Sequence, residues 1–352
     1  MDTGFFNGFS RKFLSMDRMR VIQSRKPVGV LCLLAIVLSC GSWGFLVHRT
    51  VAQLAIYQLP KQMRSFFYMN KLYLVKEAPR PDTRRNTDPT EGSKHFIDLE
   101  IYGDSAAWKM PMSEAEAIRI YTKDTLYRYG TLPYVVLRVK QQLTEAFRRG
   151  DRDSILYYAT DLGHYIGDAH VPLHTAVNYD GQLTGQKGLH NLWESAVPDL
   201  EMNRYQLSDG HKARYLADPA AAIWEAVRHA NALLPDVFGK EKEVAAAFPD
   251  SSKYHIEVRN GRESKNYSRE FAKAYAQQLG KTVNEQLLHS ASLIADFWYT
   301  AWVDGGRPDL NALLAAPLEK KDKKECRKEY KAYKNNRLIE DSLLLSRSRK
   351  WD

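Results

Sequence analysis

Four-residue spacings between histidines and carboxylates constrain this chain more than any other feature. His164-Tyr165-Ile166-Gly167-Asp168-Ala169-His170-Val171-Pro172-Leu173-His174 reads H-x3-D-x5-H, and His190-Asn191-Leu192-Trp193-Glu194 follows as H-x3-E, all within thirty-one residues. On a helix, residues i and i+4 share one face, about 5–6 Å apart at Cβ. Imidazole nitrogens and carboxylate oxygens are the ligands a borderline divalent ion such as zinc prefers. A lone histidine is more often a core or surface residue than a ligand. Two spaced pairs joined by a third histidine point instead to a metal site built on helices.

The rest of the chain reads the same way. Val47, Val51, Leu54, Ala55 and Leu59 recur at helical spacing before Pro60. Met69 to Asp104 holds three prolines and short polar turns and reads as a long loop. Ser113 to Glu116 resembles a capping box opening a helix that runs to Gly130. Further helices are predicted over Pro133 to Arg149, from Asp153 or Ser154 to Pro172, over Pro219 to Leu234, over Glu241 to Phe248, and over Ser268 to Trp302 with a break near Gly280. Pro308-Asp309-Leu310 starts a short last one. Asn178 to Gly188, with its glycines, reads as the connection into the helix bearing His190. Strand-like alternation is nearly absent. The expectation is therefore an all-α fold: a single multi-helix domain over 43–317, followed by a charged tail over 318–352 read as a helical or disordered appendage.

The ends differ from the middle. Net charge is +9, and Lys320 to Lys350 alone carries twelve Lys/Arg against five Asp/Glu. Such an excess attracts nucleic acid or anionic lipid without specifying either. Val28 to Cys40 is apolar, follows Arg25-Lys26 and is short for a membrane span, which suits the h-region of a signal peptide over 1–42. Cleavage after Ser42 would leave Trp43 as the new N-terminus, secreted or periplasmic. Retention as a membrane anchor is the rival. Of three cysteines only Cys326 would remain, and one thiol cannot form an internal disulfide. No Gly-x-Ser-x-Gly elbow or phosphate-cradling Gly-x-x-x-x-Gly-Lys is present.

These residues resemble the zinc-dependent phospholipase C and S1/P1 nuclease superfamily. Trp43 with His48 looks like its N-terminal tryptophan and following histidine, Asp82 with His95 like its next pair, and the two motifs above like its centre and close. The resemblance implies three zinc ions. Asp82, His95, His164 and Asp168 would hold the first; His174, His190 and Glu194 the second; the Trp43 amine and carbonyl, His48 and Asp168 the third. An α-amine binds zinc only when free, so removal of the leader would complete that third site.

Physical chemistry makes sense of the implied activity. A phosphodiester carries a charge that repels hydroxide, and zinc lowers the pKa of a bound water from 15.7 to roughly 7. Further cationic centres would offset charge on the non-bridging oxygens and the departing alkoxide. Asp82 would orient the attacking water and accept its proton. Arg85 is a candidate phosphate contact, and His170 a residue orienting a ligand or phosphate. The implied hydrolase acts on phospholipid or on single-stranded nucleic acid. The closing H-x3-E, as in the phospholipase branch, tilts the reading to phospholipid. A surface protein with purely structural zinc is a third reading.

Overall fold

The computed structural model describes residues 44–259 and 262–347. The leader expected over 1–42, and Trp43, lie outside the described residues. Helix α1 (Phe45–Gln58) comes first, and α2 (Lys61–Met69) starts directly after Pro60, which has no amide to donate. Then come α3 (Lys71–Glu77) and α4 (Arg80–Arg84). The long loop expected over Met69 to Asp104 is thus partly helical, because Pro79 and Pro81 sit at the start of α4, where a missing amide costs nothing.

Helices α5 (Ala106–Lys109), α6 (Glu114–Tyr121) and α7 (Lys123–Tyr129) form a short series. The single helix expected from Ser113 to Gly130 is broken at Thr122, whose φ is +67°. Ser113 makes no side-chain cap bond, so that capping box does not form. The main layer follows. Helix α8 (Leu132–Arg149) ends at Gly150 in the left-handed region, and α9 (Arg152–Asp168) starts on Asp151, whose carboxylate accepts from the Ser154 amide at 3.2 Å. That cap places the start of α9 just ahead of the expected Asp153 or Ser154.

Beyond the 178–188 connection come α10 (Leu189–Asn191), one π-helical turn (Leu192–Ala196) and α11 (Val197–Glu201). Helices α12 (Pro219–Ala232), α13 (Leu234–Ala245) and α14 (Asp250–Lys253) lead into strands β1 (Tyr254–Arg259) and β2 (Arg262–Tyr267), an antiparallel hairpin pairing Tyr254 with Tyr267. The alternation of Tyr254, Ile256 and Val258 is the signal for it. Helices α15 (Arg269–Leu279) and α16 (Thr282–Asp304) are separated at Gly280, as its sequence suggested.

The fold is all-α apart from that hairpin. Helix α1 lies against α16, α3 and α9, and α16 also against α8. Aromatic residues fill the contact: Phe67 stacks on Trp298 at 4.9 Å, and the Trp298 indole donates to the Ala159 carbonyl at 2.9 Å. Each such ring buries apolar area amounting to about 2–3 kcal/mol. The Phe297-Trp298 run is therefore core. Among the described residues, no helix is long and apolar enough to cross a membrane.

The charged segment past Pro317 is no loose appendage. Helix α17 (Lys320–Lys334) and the turns after it dock on α1 and α2. Tyr57 and Tyr68 donate to Glu329 at 2.9 Å each, Lys71 pairs with the same carboxylate, and Gln58 donates to the Tyr333 hydroxyl at 3.1 Å. Gln53 bonds the Leu343 carbonyl and the Leu345 amide, both at 2.8 Å. Ala332, Tyr333, Leu338 and Leu344 are buried. A few apolar side chains set among many lysines are enough to anchor it.

Candidate metal centre

Eight of the nine expected ligands are described, and the fold brings all eight together. Helix α1 carries His48 in its first turn, α4 carries Asp82, and the last turn of α9 carries His164 and Asp168. His95 follows a 3-10 turn at Gly92–Lys94, and His174 lies in another at Pro172–Thr175. His190 sits in α10 and Glu194 in the π turn, a rare element frequent at functional sites. Three groups result: His48, His164 and Asp168; Asp82, His95 and His164; His174, His190 and Glu194. Within each, the ligand atoms lie within 4.8 Å of one another. Asp88 and Asp98, from the same stretch as Asp82, belong to none of them.

Hydrogen-bond logic decides which ring atoms face inward. His164 Nδ1 is 3.0 Å from the Ala78 carbonyl, and His174 Nδ1 is 2.7 Å from the His95 carbonyl. A carbonyl only accepts, so both Nδ1 atoms carry the hydrogen and each Nε2 presents a bare lone pair. Those lone pairs point into the cluster. His164 Nε2 is 3.1 Å from His95 Nδ1, and His174 Nε2 is 3.1 Å from His190 Nε2. Backbone-anchored imidazoles of this kind are the usual arrangement of metal-binding histidines.

The carboxylates lie between the rings. Asp168 Oδ2 is 2.9 Å from His95 Nδ1 and 3.4 Å from His164 Nε2, while Oδ1 is 3.4 Å from His48 Nε2. Its two oxygens thus face two different groups. Glu194 Oε2 is 2.6 Å from His190 Nε2 and 3.5 Å from His174 Nε2. Asp82 Oδ1 stands 3.6 Å from His95 and 3.8 Å from His164. Two glycines make room. A Cβ on Gly44 would lie 2.8 Å from Glu194 Oε1, and one on Gly167 would lie 2.9 Å from His48 Nδ1.

Burial and charge oppose each other here. Burial pushes His164 down to about 3, helped by the neighbouring His48. For His95 burial also favours the neutral ring, yet hydrogen bonds donated to Asp168 and Glu91 outweigh it and lift the ring to about 9. His190 is raised too, with burial overcome by Glu194. Burial would raise Asp168, but the charges of His164 and His174 and the bonds from His48 and His95 hold it well below the carboxylate range. Glu194 is lowered in the same way by His174 and His190. Buried nitrogens and oxygens converging this closely, with lone pairs directed inward, fit a borderline divalent cation.

Around the ligands lies a shell that their motifs do not announce. Glu91 is fully buried and accepts from Arg84 at 2.9 and 3.0 Å, from Lys94 at 2.6 Å and from the Tyr165 hydroxyl, with Oε1 3.5 Å from His95 Nε2. It stands four residues before His95, the same spacing as the recognised pairs, which is the signal that could have found it. Asp180 accepts from the Gly188 and His190 amides at 3.1 and 3.3 Å and fixes the start of α10. Arg85 lies 3.8 Å from Asp82. His170, just past the end of α9, bonds that helix's Ile166 carbonyl at 2.8 Å instead of a ligand, because the chain turns away after Asp168. It lines a cavity of about 30 Å3 with Val47, His48 and Trp193.

Two solved structures are similar to this chain. Alpha toxin from Clostridium absonum is 14% identical with a TM-score of 0.46, the match covering 80% of this chain and 66% of that one. Clostridium perfringens alpha-toxin from an avian strain is 15% identical with a TM-score of 0.42, over 74% of this chain and 64% of that one. A comparison with curated proteins found no match. The family model for S1/P1 nuclease matches residues 43–297, which hold every ligand candidate above. With that match over most of its length, the chain belongs to the S1/P1 nuclease family.

Proposed function

We propose that this is an exported zinc-dependent phosphodiesterase that cleaves single-stranded nucleic acid. The observation that carries the reading is the convergence of eight imidazole and carboxylate side chains, with the Nε2 lone pairs of His164 and His174 directed inward by their carbonyl-bound Nδ1 atoms. His95, His164, Asp82 and Asp168 would hold one ion, His174, His190 and Glu194 a second, and His48 with Asp168 and the freed Trp43 amine a third. Zinc bound there supplies Lewis acidity and an acidified water.

The chain's own groups do the rest. Asp82 is the most exposed of the ligand carboxylates, at 27%, so one of its oxygens can meet a water from solvent, orient it and accept its proton. Arg85 is 38% exposed beside it, where a guanidinium can pair with a non-bridging phosphate oxygen. Buried Asp168 and Glu194 keep their charge, which holds the neighbouring imidazoles in place.

Nucleic acid is favoured over phospholipid by the family match. The phospholipid reading keeps one specific support, the Glu194 that closes H-x3-E where the nuclease branch typically has aspartate. Protein beginning at Trp43 and loaded with zinc should release acid-soluble nucleotides from single-stranded DNA and leave phosphatidylcholine vesicles intact. Diacylglycerol release without nucleotide release would reverse the choice. Cleavage of neither, with zinc bound, would leave only a structural role for the metal.

A further inference from the structure

We propose that one face of α17 is a docking surface for the sugar-phosphate backbone of single-stranded nucleic acid, separate from the metal centre; the inference rests on the nuclease reading. Lys320, Lys324, Arg327, Lys331 and Lys334 recur at i, i+4, i+7, i+11 and i+14. That spacing lines them up as one stripe along a helix about 22 Å long. All five are exposed, and none has an ion-pair partner among the described residues.

The acids of the helix do not neutralise this stripe. Glu329 points the other way, into Tyr57, Tyr68 and Lys71. Asp322 folds back on the helix start, accepting from the Glu319 amide at 3.0 Å. Eight basic residues against three acids on fifteen positions, with one acid turned towards the domain and another used as a cap, leave a rigid cationic ridge.

The same geometry argues against a lipid surface. A helix that lies on a membrane needs an apolar face to insert alongside its cations. The apolar face of α17 is already occupied: Ala332 and Tyr333 are buried against the domain, and the Tyr330 ring lies 3.9 Å beneath the Arg64 guanidinium. Only charge faces outward. A polyphosphate strand, which needs cations and no insertion, is the partner this face fits.

The test replaces Lys320, Lys324, Arg327 and Lys331 together by alanine in the zinc-loaded protein. Binding of a fluorescent phosphorothioate oligo-dT, which resists cleavage, is followed by anisotropy against salt, and hydrolysis of bis(p-nitrophenyl) phosphate reports on the metal centre alone. Each single-strand phosphate contact contributes about 0.7 to the slope of log affinity against log salt, so losing four should flatten it by about 2–3 and weaken binding at least tenfold near 50 mM salt. The chromogenic ester should be hydrolysed as before, and replacing Lys320, Lys324 and Lys331 by arginine should preserve binding. Unchanged slope and affinity in the alanine variant would overturn the proposal, as would loss of binding to phosphatidylserine vesicles with oligonucleotide binding intact. If the parent protein hydrolyses no phosphodiester yet shows the slope change, the nuclease reading fails while the docking surface stands.

Discussion

At the scale of single residues, a ligand here is an ordinary side chain whose alternatives have been removed. His174 donates through Nδ1 to the His95 carbonyl, so its other nitrogen has only His190, Glu194 and a cation to face. Replacing His174 by alanine should lower phosphodiester hydrolysis by more than about 100-fold. The far-ultraviolet helical signal should stay, because a short 3-10 turn and not a helix carries the residue; retained turnover would remove the second group from the chemistry. Asp98 offers a test away from the ligands. Burial, reinforced by Glu100, lifts its carboxyl to about 7, above the unfolded value of about 3.9. The folded state therefore holds that proton more tightly, a contribution present below about pH 4 and lost as pH rises through 7. Asp98→Asn should gain about 1–2 kcal/mol over the parent at pH 8, after allowance for solvent screening, and almost nothing at pH 4.5. Urea unfolding at the two pH values measures this, and equal stability at pH 8 would contradict it.

At the scale of elements, the site depends on where helices stop. Gly130, at φ +96°, ends α7 where the chain passes the segment after His95; a Cβ there would run into the Phe96 carbonyl and lie 2.8 Å from Ile97 Cα. Gly130→Ala should cost about 2–4 kcal/mol and weaken zinc retention, because backbone atoms cannot step aside as a side-chain tip can. A thermal midpoint equal to the parent's would show that the segment has more freedom than the packing indicates. Legibility follows the same division. The spacings at His164, Asp168, His190 and Glu194 are local, and local spacing on a helix is readable from sequence. Prolines 79 and 81 hid α3 and α4, since the same residue type breaks a helix in its middle and suits its start. Glu91 was hidden for a different reason: a buried anion is tolerable only because Arg84, Lys94 and Tyr165 meet it, and they arrive from three separate elements. The hairpin at Tyr254–Tyr267 was overlooked because two six-residue strands are short beside the surrounding helices.

At the scale of the whole molecule, the charged C-terminal segment is part of the machinery that holds α1, and α1 carries His48. Thr50, Gln53, Tyr57 and Gln58 all bond residues beyond Glu319. Ending the chain after Pro317 would uncover those polar groups and the pockets of Tyr333, Leu338 and Leu344. A chain so shortened should lose at least about 3 kcal/mol, since each exposed core side chain alone forfeits about 1.5–3. Its melting temperature, compared with that of the full chain, checks this; an unchanged value would make the docking incidental. The tail's attachment was not readable because lysine-rich composition masks four well-placed apolar residues. The metal count is the property on which the proposed centre stands or falls. Elemental analysis of gel-filtered protein whose sequenced N-terminus is Trp43 should find three zinc ions per chain. A folded chain that carries none would contradict it.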